Sequence, residues 1–126
     1  MKGWAIVLCL CAGAVQANEA HCLGEILYAE ARGESIEGVA AVGQAAIKKA
    51  RIEHTTVCRL KGVTRLTPSQ NLLEYYTSMA SHLLDHPKET VSKGASHWER
   101  GTKPHLPGIV RRHIGKHIFY ELRGTQ

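Results

Sequence analysis

The sequence has few of the elements from which common enzyme motifs are built. It contains four cysteines among its 126 residues, with no CxxC pair, and Asp85 is its sole aspartate. No HExxH zinc signature, Gly-rich phosphate loop or nucleophile elbow occurs. These absences argue against an HExxH metalloprotease, a P-loop nucleotide-binding enzyme and an α/β-hydrolase.

Long apolar runs are also scarce, and the one that exists lies at the N-terminus. Lys2 precedes an apolar stretch from Trp4 to Val15, which ends in the small-residue stretch Ala14–Ala17. This pattern predicts a secretory signal peptide over residues 1–17, with cleavage after Ala17. The run is shorter than the roughly 20 residues of a membrane span, so we expect no stable membrane anchor. We expect export to the periplasm or the extracellular cell wall.

Removal of 17 residues from 126 leaves 109, which we expect to form one domain over residues 18–126. Without Lys2 the formal net charge falls from +5 to +4. Much of the positive charge lies near the C-terminus, at Arg100, Lys103, Arg111, Arg112, Lys116 and Arg123. Such a patch favours anionic partners. Export argues against nucleic acid and favours the bacterial wall, although a solvated basic surface fits the pattern equally well.

Two of the four cysteines fall in the predicted leader, so the mature chain keeps Cys22 and Cys58. One remaining pair in an exported protein predicts one disulfide. Closing that loop stabilises a small domain by roughly 3 to 4 kcal/mol in the chain-entropy model. Zinc is the alternative use, with His21 and His54 nearby, but a close second thiolate is missing. We expect neither a metal nor another cofactor.

The first helix of the mature chain places a carboxylate on its apolar face. The apolar positions share one stripe of helical spacing: Leu23, Ile26, Leu27 and Ala31. Glu30 falls on the same stripe and should point inward. Because burial disfavours the charged form, an inward Glu would keep its proton near neutrality and serve as a general acid. Alternatively, Glu30 pairs with Arg32 or Arg51, and Glu34 caps the helix end.

These residues also resemble a known family. The segment Tyr28–Glu34 is similar to the opening motif of the SleB/CwlJ-type cell-wall hydrolases, the spore-cortex-lytic family. The similarity continues through Glu37–Gly38, Ala41–Val42 and Gln44.

Three later segments resemble later blocks of that family in the same order: Thr56–Cys58, Gly94–Trp98 and Ile114–Tyr120. The resemblance covers about residues 22 to 121. The connection Arg59–Leu66 is shorter than is usual in the family and has no Phe-Ser element, which suggests a trimmed substrate groove.

The resemblance implies a lysozyme-like, lytic transglycosylase-like fold and cleavage of the MurNAc-GlcNAc β-1,4 bond of peptidoglycan. It makes Glu30 the catalytic acid and base. The residues expected to bind the glycan are Tyr28, Glu34, His97, Trp98 and Tyr120. Trp98 suits stacking on a pyranose ring, although a lone Trp is as often a core residue. We expect a monomer whose partner is the glycan strand.

Lytic transglycosylation needs one carboxyl group and gives a 1,6-anhydro product. Lysozyme-type hydrolysis is the alternative, and it ordinarily needs a second carboxylate about 5 to 9.5 Å away. Glu34 and Glu37 are the only nearby candidates in the sequence. A second alternative is an exported module that binds the wall without cutting it.

Local signals predict the remaining elements. Ser35 offers an N-cap for a second helix that continues to Arg51. The stretch Thr67–Gln70 combines an N-cap Thr, a first-turn Pro and a capping-box Gln, and so predicts a third helix that ends before His86-Pro87.

From Lys93 onward the chain reads as a loop, apart from a short strand at about His117–Glu121. The expected architecture is α+β and mostly helical. Three helices wrap a groove, and the extended segment closes one side.

Overall fold

The computed structural model describes the backbone of residues 2–124 and the side chains of residues 17–124. Its elements are α1 (Lys2–Ala31), α2 (Ile36–Ile52), a 3-10 turn (Val57–Arg59), α3 (Gln70–Asp85), β1 (His97–Arg100), β2 (Gly108–Ile114) and β3 (His117–Leu122). The expected α+β, mostly helical architecture is confirmed.

The predicted signal peptide, residues 1–17, lies almost wholly outside the described side chains and stays a prediction. Across the described part of the chain, no helix is both long and apolar enough to cross a membrane.

The break between α1 and α2 follows the sequence signals. Gly33 adopts φ +83°, a left-handed conformation that glycine tolerates and that ends a helix. The Ser35 hydroxyl then accepts a hydrogen bond from the Gly38 N–H at 3.1 Å. Glu37 lies in the first turn, where a carboxylate favours the helix N-terminus. The predicted N-cap is confirmed.

The start of α3 differs from the prediction. Ser69, rather than Thr67, is the N-cap residue, and its side chain makes no capping hydrogen bond. The Thr67 hydroxyl donates instead to the buried carboxylate of Glu25. A hydrogen bond to a charged acceptor is stronger than a neutral one, so this contact fixes Thr67 to α1. The helix ends at Asp85, before Pro87, as predicted.

The sheet is antiparallel with strand order β1-β3-β2. The predicted strand at His117–Glu121 is confirmed as β3, which is central and almost wholly buried. The prediction of a loop from Lys93 onward is wrong where β1 and β2 form. Both are edge strands, and a register irregularity between Val110 and Arg112 interrupts the alternation that would have marked β2. Gly115, at φ +56°, supplies the positive φ of the tight turn into β3.

The core lies between the helices and one face of the sheet. The α1 stripe is buried throughout, with Leu23, Ile26, Leu27 and Ala31 at 0% exposure. From the other side, the sheet contributes Phe119 of β3 and Ile114 of β2. The small residues of α2 let it approach this stripe closely, as expected, but α3 makes the more extensive interface with α1.

A close crossing of α1 and α3 occurs at Gly24. A Cβ atom there would lie 2.9 Å from the Thr77 hydroxyl, 3.0 Å from the Thr77 nitrogen and 3.1 Å from its Cα. Gly43 on α2 is different, because the atom its Cβ would meet is a methyl group of Leu83. Backbone cannot move aside as a side-chain methyl can.

The Cys22–Cys58 disulfide joins α1 to the 3-10 turn. Glu19 reinforces this joint, since its carboxylate accepts hydrogen bonds from the N–H groups of Val57, at 2.8 Å, and Cys58, at 3.5 Å. The predicted pairing of Cys22 with Cys58 is thus present in the structure.

We expect Gly24→Ala to lower the free energy of unfolding by about 1–3 kcal/mol, the usual cost of overpacking a tight contact. Gly43→Ala is the matched control, because both changes gain roughly the same helix propensity, about 1 kcal/mol. Urea denaturation followed by circular dichroism should show a clearly lower midpoint for Gly24→Ala alone. Equal midpoints for the two variants would contradict a tight α1–α3 crossing.

Candidate active site

Glu30 lies in the last turn of α1 and is held through both carboxylate oxygens. The Trp98 indole N–H donates to Oε2 at 2.7 Å, and the backbone N–H of Thr64 donates to Oε1 at 3.3 Å. The side chain is partly buried. It therefore sits at the rim of the core, on the surface between three segments of the chain, and not deep inside as the helical stripe predicted.

A pocket of about 50 Å³ opens at Glu30, lined by Glu30, Lys49, Gly62, Val63, His97 and Trp98. It exceeds the roughly 10–15 Å³ that one water needs but is far below the roughly 300–1,000 Å³ of a typical small-ligand pocket. A polymer lying across its mouth suits these dimensions better than an enclosed small molecule.

Two larger grooves, of about 520 Å³ each, run between α1 and α3 and between α2 and α3. Neither contains Glu30. The small pocket is the stronger candidate site because an acid, a cation and an imidazole converge there.

The segment 58–67 closes one side of the pocket and is fastened to α1. Arg65 donates to the Cys58 carbonyl at 3.0 Å and to the Glu25 carboxylate at 2.8 Å. The Leu66 N–H reaches the backbone carbonyl of Glu25 at 3.4 Å. Together with the disulfide, these contacts place the Thr64 N–H opposite Glu30.

Glu25 is the most buried carboxylate of α1, and sequence analysis missed it. Burial acts to raise its pKa, but hydrogen bonds from Thr67 and Arg65, with the charges of Arg65 and His21, outweigh burial and hold the pKa below its ordinary value. Glu25 is thus kept ionised as an anchor. The sequence gives no signal of this pairing, because Arg65 and Thr67 lie forty and forty-two residues further along the chain.

His97, on β1, is the imidazole of the pocket. Its Nδ1 lies 2.9 Å from the hydroxyl of the fully buried Ser96, and its ring lies 5.5 Å from that of Tyr120. Burial lowers the pKa of His97, and the neighbouring charge of Lys49 lowers it further. The imidazole is therefore neutral near pH 7.

Tyr120 lies beneath His97 and does not line the pocket. Its hydroxyl donates to Glu99 at 3.2 Å. Burial, followed by the Glu99 carboxylate, raises the pKa of Tyr120 to about 12. The phenol thus keeps its proton and supports the imidazole above it.

Two residues expected to bind glycan lie elsewhere. The Tyr28 hydroxyl accepts a hydrogen bond from Arg32 at 2.8 Å, and its ring packs edge-on against Tyr76 of α3. Glu34 follows α1 and faces β3, where its Oε1 lies 3.1 Å from Nδ1 of the buried His117. Neither residue lines the pocket.

The two glutamates that the sequence offered as a second carboxylate are engaged elsewhere. Glu34 is engaged by His117, and Glu37 by Arg112. Within the described part of the chain, the pocket lining contains one carboxylate, that of Glu30. No group of three or more His, Cys, Asp or Glu side chains in that same part is placed to hold a metal ion.

Lys49, Gly62 and Val63 are the lining residues that sequence analysis missed. Lys49 lies in the last turn of α2, where a basic residue suits any helix C-terminus and so gives no signal of a site. Gly62 and Val63 fall in the connection Arg59–Leu66, which carries no motif. Their role arises from folding that connection back onto α1.

Comparisons with family models, curated proteins and solved structures found no match to this chain. Function is therefore inferred from the geometry around Glu30 together with the motif resemblance.

An NMR titration of the His97 ring should give a midpoint below the ordinary value of 6.5. Lys49→Met should raise the midpoint, because the ammonium that repels imidazolium is gone. Lys88→Met, a change at an exposed lysine that follows α3, is the control and should leave the midpoint in place.

Because folding makes protonation of His97 harder, the stability linked to this group is present above about pH 6.5 and is lost as the pH falls. A midpoint at or above 6.5, or one insensitive to Lys49→Met, would contradict this view of the pocket.

Proposed function

We propose that the protein is an exported lytic transglycosylase with a lysozyme-like fold, which cleaves the MurNAc-GlcNAc β-1,4 bond of peptidoglycan. The observation that carries the proposal is the setting of Glu30. Its carboxyl group is partly buried, is fixed through both oxygens by Trp98 and Thr64, and faces a pocket with an imidazole and a cation.

The first chemical step is protonation of the leaving group. Protonated Glu30 gives its proton to the glycosidic oxygen as the bond from that oxygen to C1 of MurNAc breaks. The carboxylate that results keeps the two N–H donors of Trp98 and Thr64. Fixed donors of this kind stabilise developing negative charge without reorganising.

The second step closes the ring. The 6-hydroxyl of the same MurNAc attacks C1, and its proton passes to Glu30, which regains the acid form. One bond to C1 breaks, another forms, and no water is consumed. A single carboxyl group therefore serves as acid and then as base.

The other lining residues suit a sugar substrate. Trp98 is only partly buried, so part of its ring remains for the apolar C–H face of a pyranose while its N–H holds Glu30. Neutral His97 has one ring nitrogen beside Ser96. The other nitrogen is suited to a hydrogen bond with a sugar hydroxyl.

Replacement of Glu30 by Gln should abolish the clearing of purified cell walls, because the amide keeps the shape of the acid and carries no transferable proton. Loss of a general acid typically costs 10²–10⁴-fold in rate. The measurement is the turbidity of a wall suspension, with circular dichroism to confirm the fold. Glu74→Gln, at an exposed carboxylate on α3, is the matched control and should clear walls normally.

Clearing by Glu30→Gln at the wild-type rate would overturn the proposal. If neither Glu30→Gln nor the wild type clears walls, yet both sediment with them, the protein is a wall-binding module.

The released muropeptides should carry 1,6-anhydro-MurNAc ends, because the described pocket lining offers no second carboxylate to activate water. Digestion in ¹⁸O-labelled water followed by mass spectrometry tests this directly. Anhydro products contain no label. Reducing MurNAc ends that carry the label would replace transglycosylation with lysozyme-type hydrolysis.

A further inference from the structure

Lys49 is an unusual lining residue of the Glu30 pocket. It lies in the last turn of α2, and only 14% of its side chain is exposed. Lysines seldom leave water to this extent unless the ammonium is paired. Its partner is Glu53, one turn further along, whose side chain is 36% exposed.

The preceding residue shows what a structural lysine looks like in this protein. Lys48 donates to the Gly94 carbonyl and lies 3.8 Å from Glu89 and 3.9 Å from Glu121. These contacts tie α2 to the sheet. Lys49 lines the pocket instead, and within the described part of the chain its one ion-pair partner is Glu53, at the end of the same helix.

An i,i+4 ion pair on a helix contributes about 0.3–0.5 kcal/mol at an exposed position. Lys49 could gain this stabilisation outside the pocket as well, so the ion pair does not explain why Lys49 lines the pocket. An ammonium group has three N–H donors, and Glu53 engages one side of it. Its charge also reaches His97, whose pKa it lowers after burial does. The pocket lining therefore includes a cation whose charge reaches the imidazole, in addition to the proposed acid.

We propose that Lys49 binds a carboxylate on the lactyl-peptide arm of the muramyl residue, and so selects peptidoglycan over neutral glycans. This inference rests on the proposed function. The arm is attached at O3 of the sugar ring whose C1 is attacked. A cation that lines the same pocket as Glu30 is therefore placed to meet an anionic group on that ring.

The carboxylate has two sources. In intact wall, the lactyl group is in amide linkage and the stem peptide supplies the acids. In glycan stripped of peptide, the lactyl carboxylate itself is free. Both present the same chemistry to Lys49, and a charge-assisted hydrogen bond suits either one.

The test compares cleavage of peptide-free glycan strands with cleavage of the same strands after their carboxylates are coupled to methylamine. For the wild type, amidation should raise KM about 10-fold, the effect of one charged hydrogen bond, with kcat within about twofold. Lys49→Met should show the raised KM on untreated glycan and no further rise on amidated glycan. Lys88→Met is the matched control and should behave as the wild type.

Lys49→Arg should restore most of the sensitivity to amidation, because it keeps the charge. Glu53→Gln removes the competing carboxylate and should lower KM for untreated glycan or leave it unchanged. These two variants and the wild-type comparison decide the matter even if Lys49→Met fails to fold. Peptide-bearing strands, run in parallel, assign the carboxylate: sensitivity on peptide-free strands alone identifies the lactyl group, and sensitivity on both includes the stem peptide.

Equal KM values for untreated and amidated glycan with the wild type would overturn the role of Lys49 while leaving transglycosylation in place. Failure of the wild type to cleave either glycan would overturn the proposed function, and the role of Lys49 with it.

Discussion

The setting of Glu30 depends on how the segment 58–67 is fastened to α1. A disulfide at Cys22 and the ionised, buried Glu25 hold that segment from one side, through Arg65 and Thr67. Because these anchors lie one and two turns before Glu30 on the same helix, the segment must run alongside the helix end. Only then does the backbone of Thr64 meet the Glu30 carboxyl group.

The pocket needs four separate parts of the chain, and each contributes a different property. α1 supplies the acid, β1 supplies the indole and the imidazole, α2 supplies a cation, and the segment 58–67 supplies a wall through Gly62 and Val63. The two neighbouring lysines of α2 have different roles. Lys48 connects the helix to the sheet, whereas Lys49 lines the pocket. The proposed chemistry and the proposed selectivity thus arise from residues whose relative positions are maintained by interactions outside the pocket.

Much of the architecture could be predicted from sequence because its signals are local. The Ser35 cap, the apolar stripe of α1 and the dense β3 segment each act within a few residues, and the structure contains all of them. The strands β1 and β2 were not predicted, because they are edge strands with mixed composition. In β2, a register irregularity also disturbs the alternation of inward and outward side chains. Their pairing with β3 stabilises them, and pairing is not visible in a local window.

The sequence by itself determined the helices, the central strand, the cysteine pair and the choice of Glu30 as the residue of interest, since periodicity, caps and motif order are written along the chain. The tertiary structure alone decided which groups hold Glu30 and which residues of the motif reach its pocket. Trp98 and Thr64 are sixty-eight and thirty-four residues away, whereas Tyr28 and Glu34, which belong to the same short motif as Glu30, make their contacts elsewhere. Side chains a few residues apart on a helix point in different directions, whereas distant segments meet wherever the core brings them together.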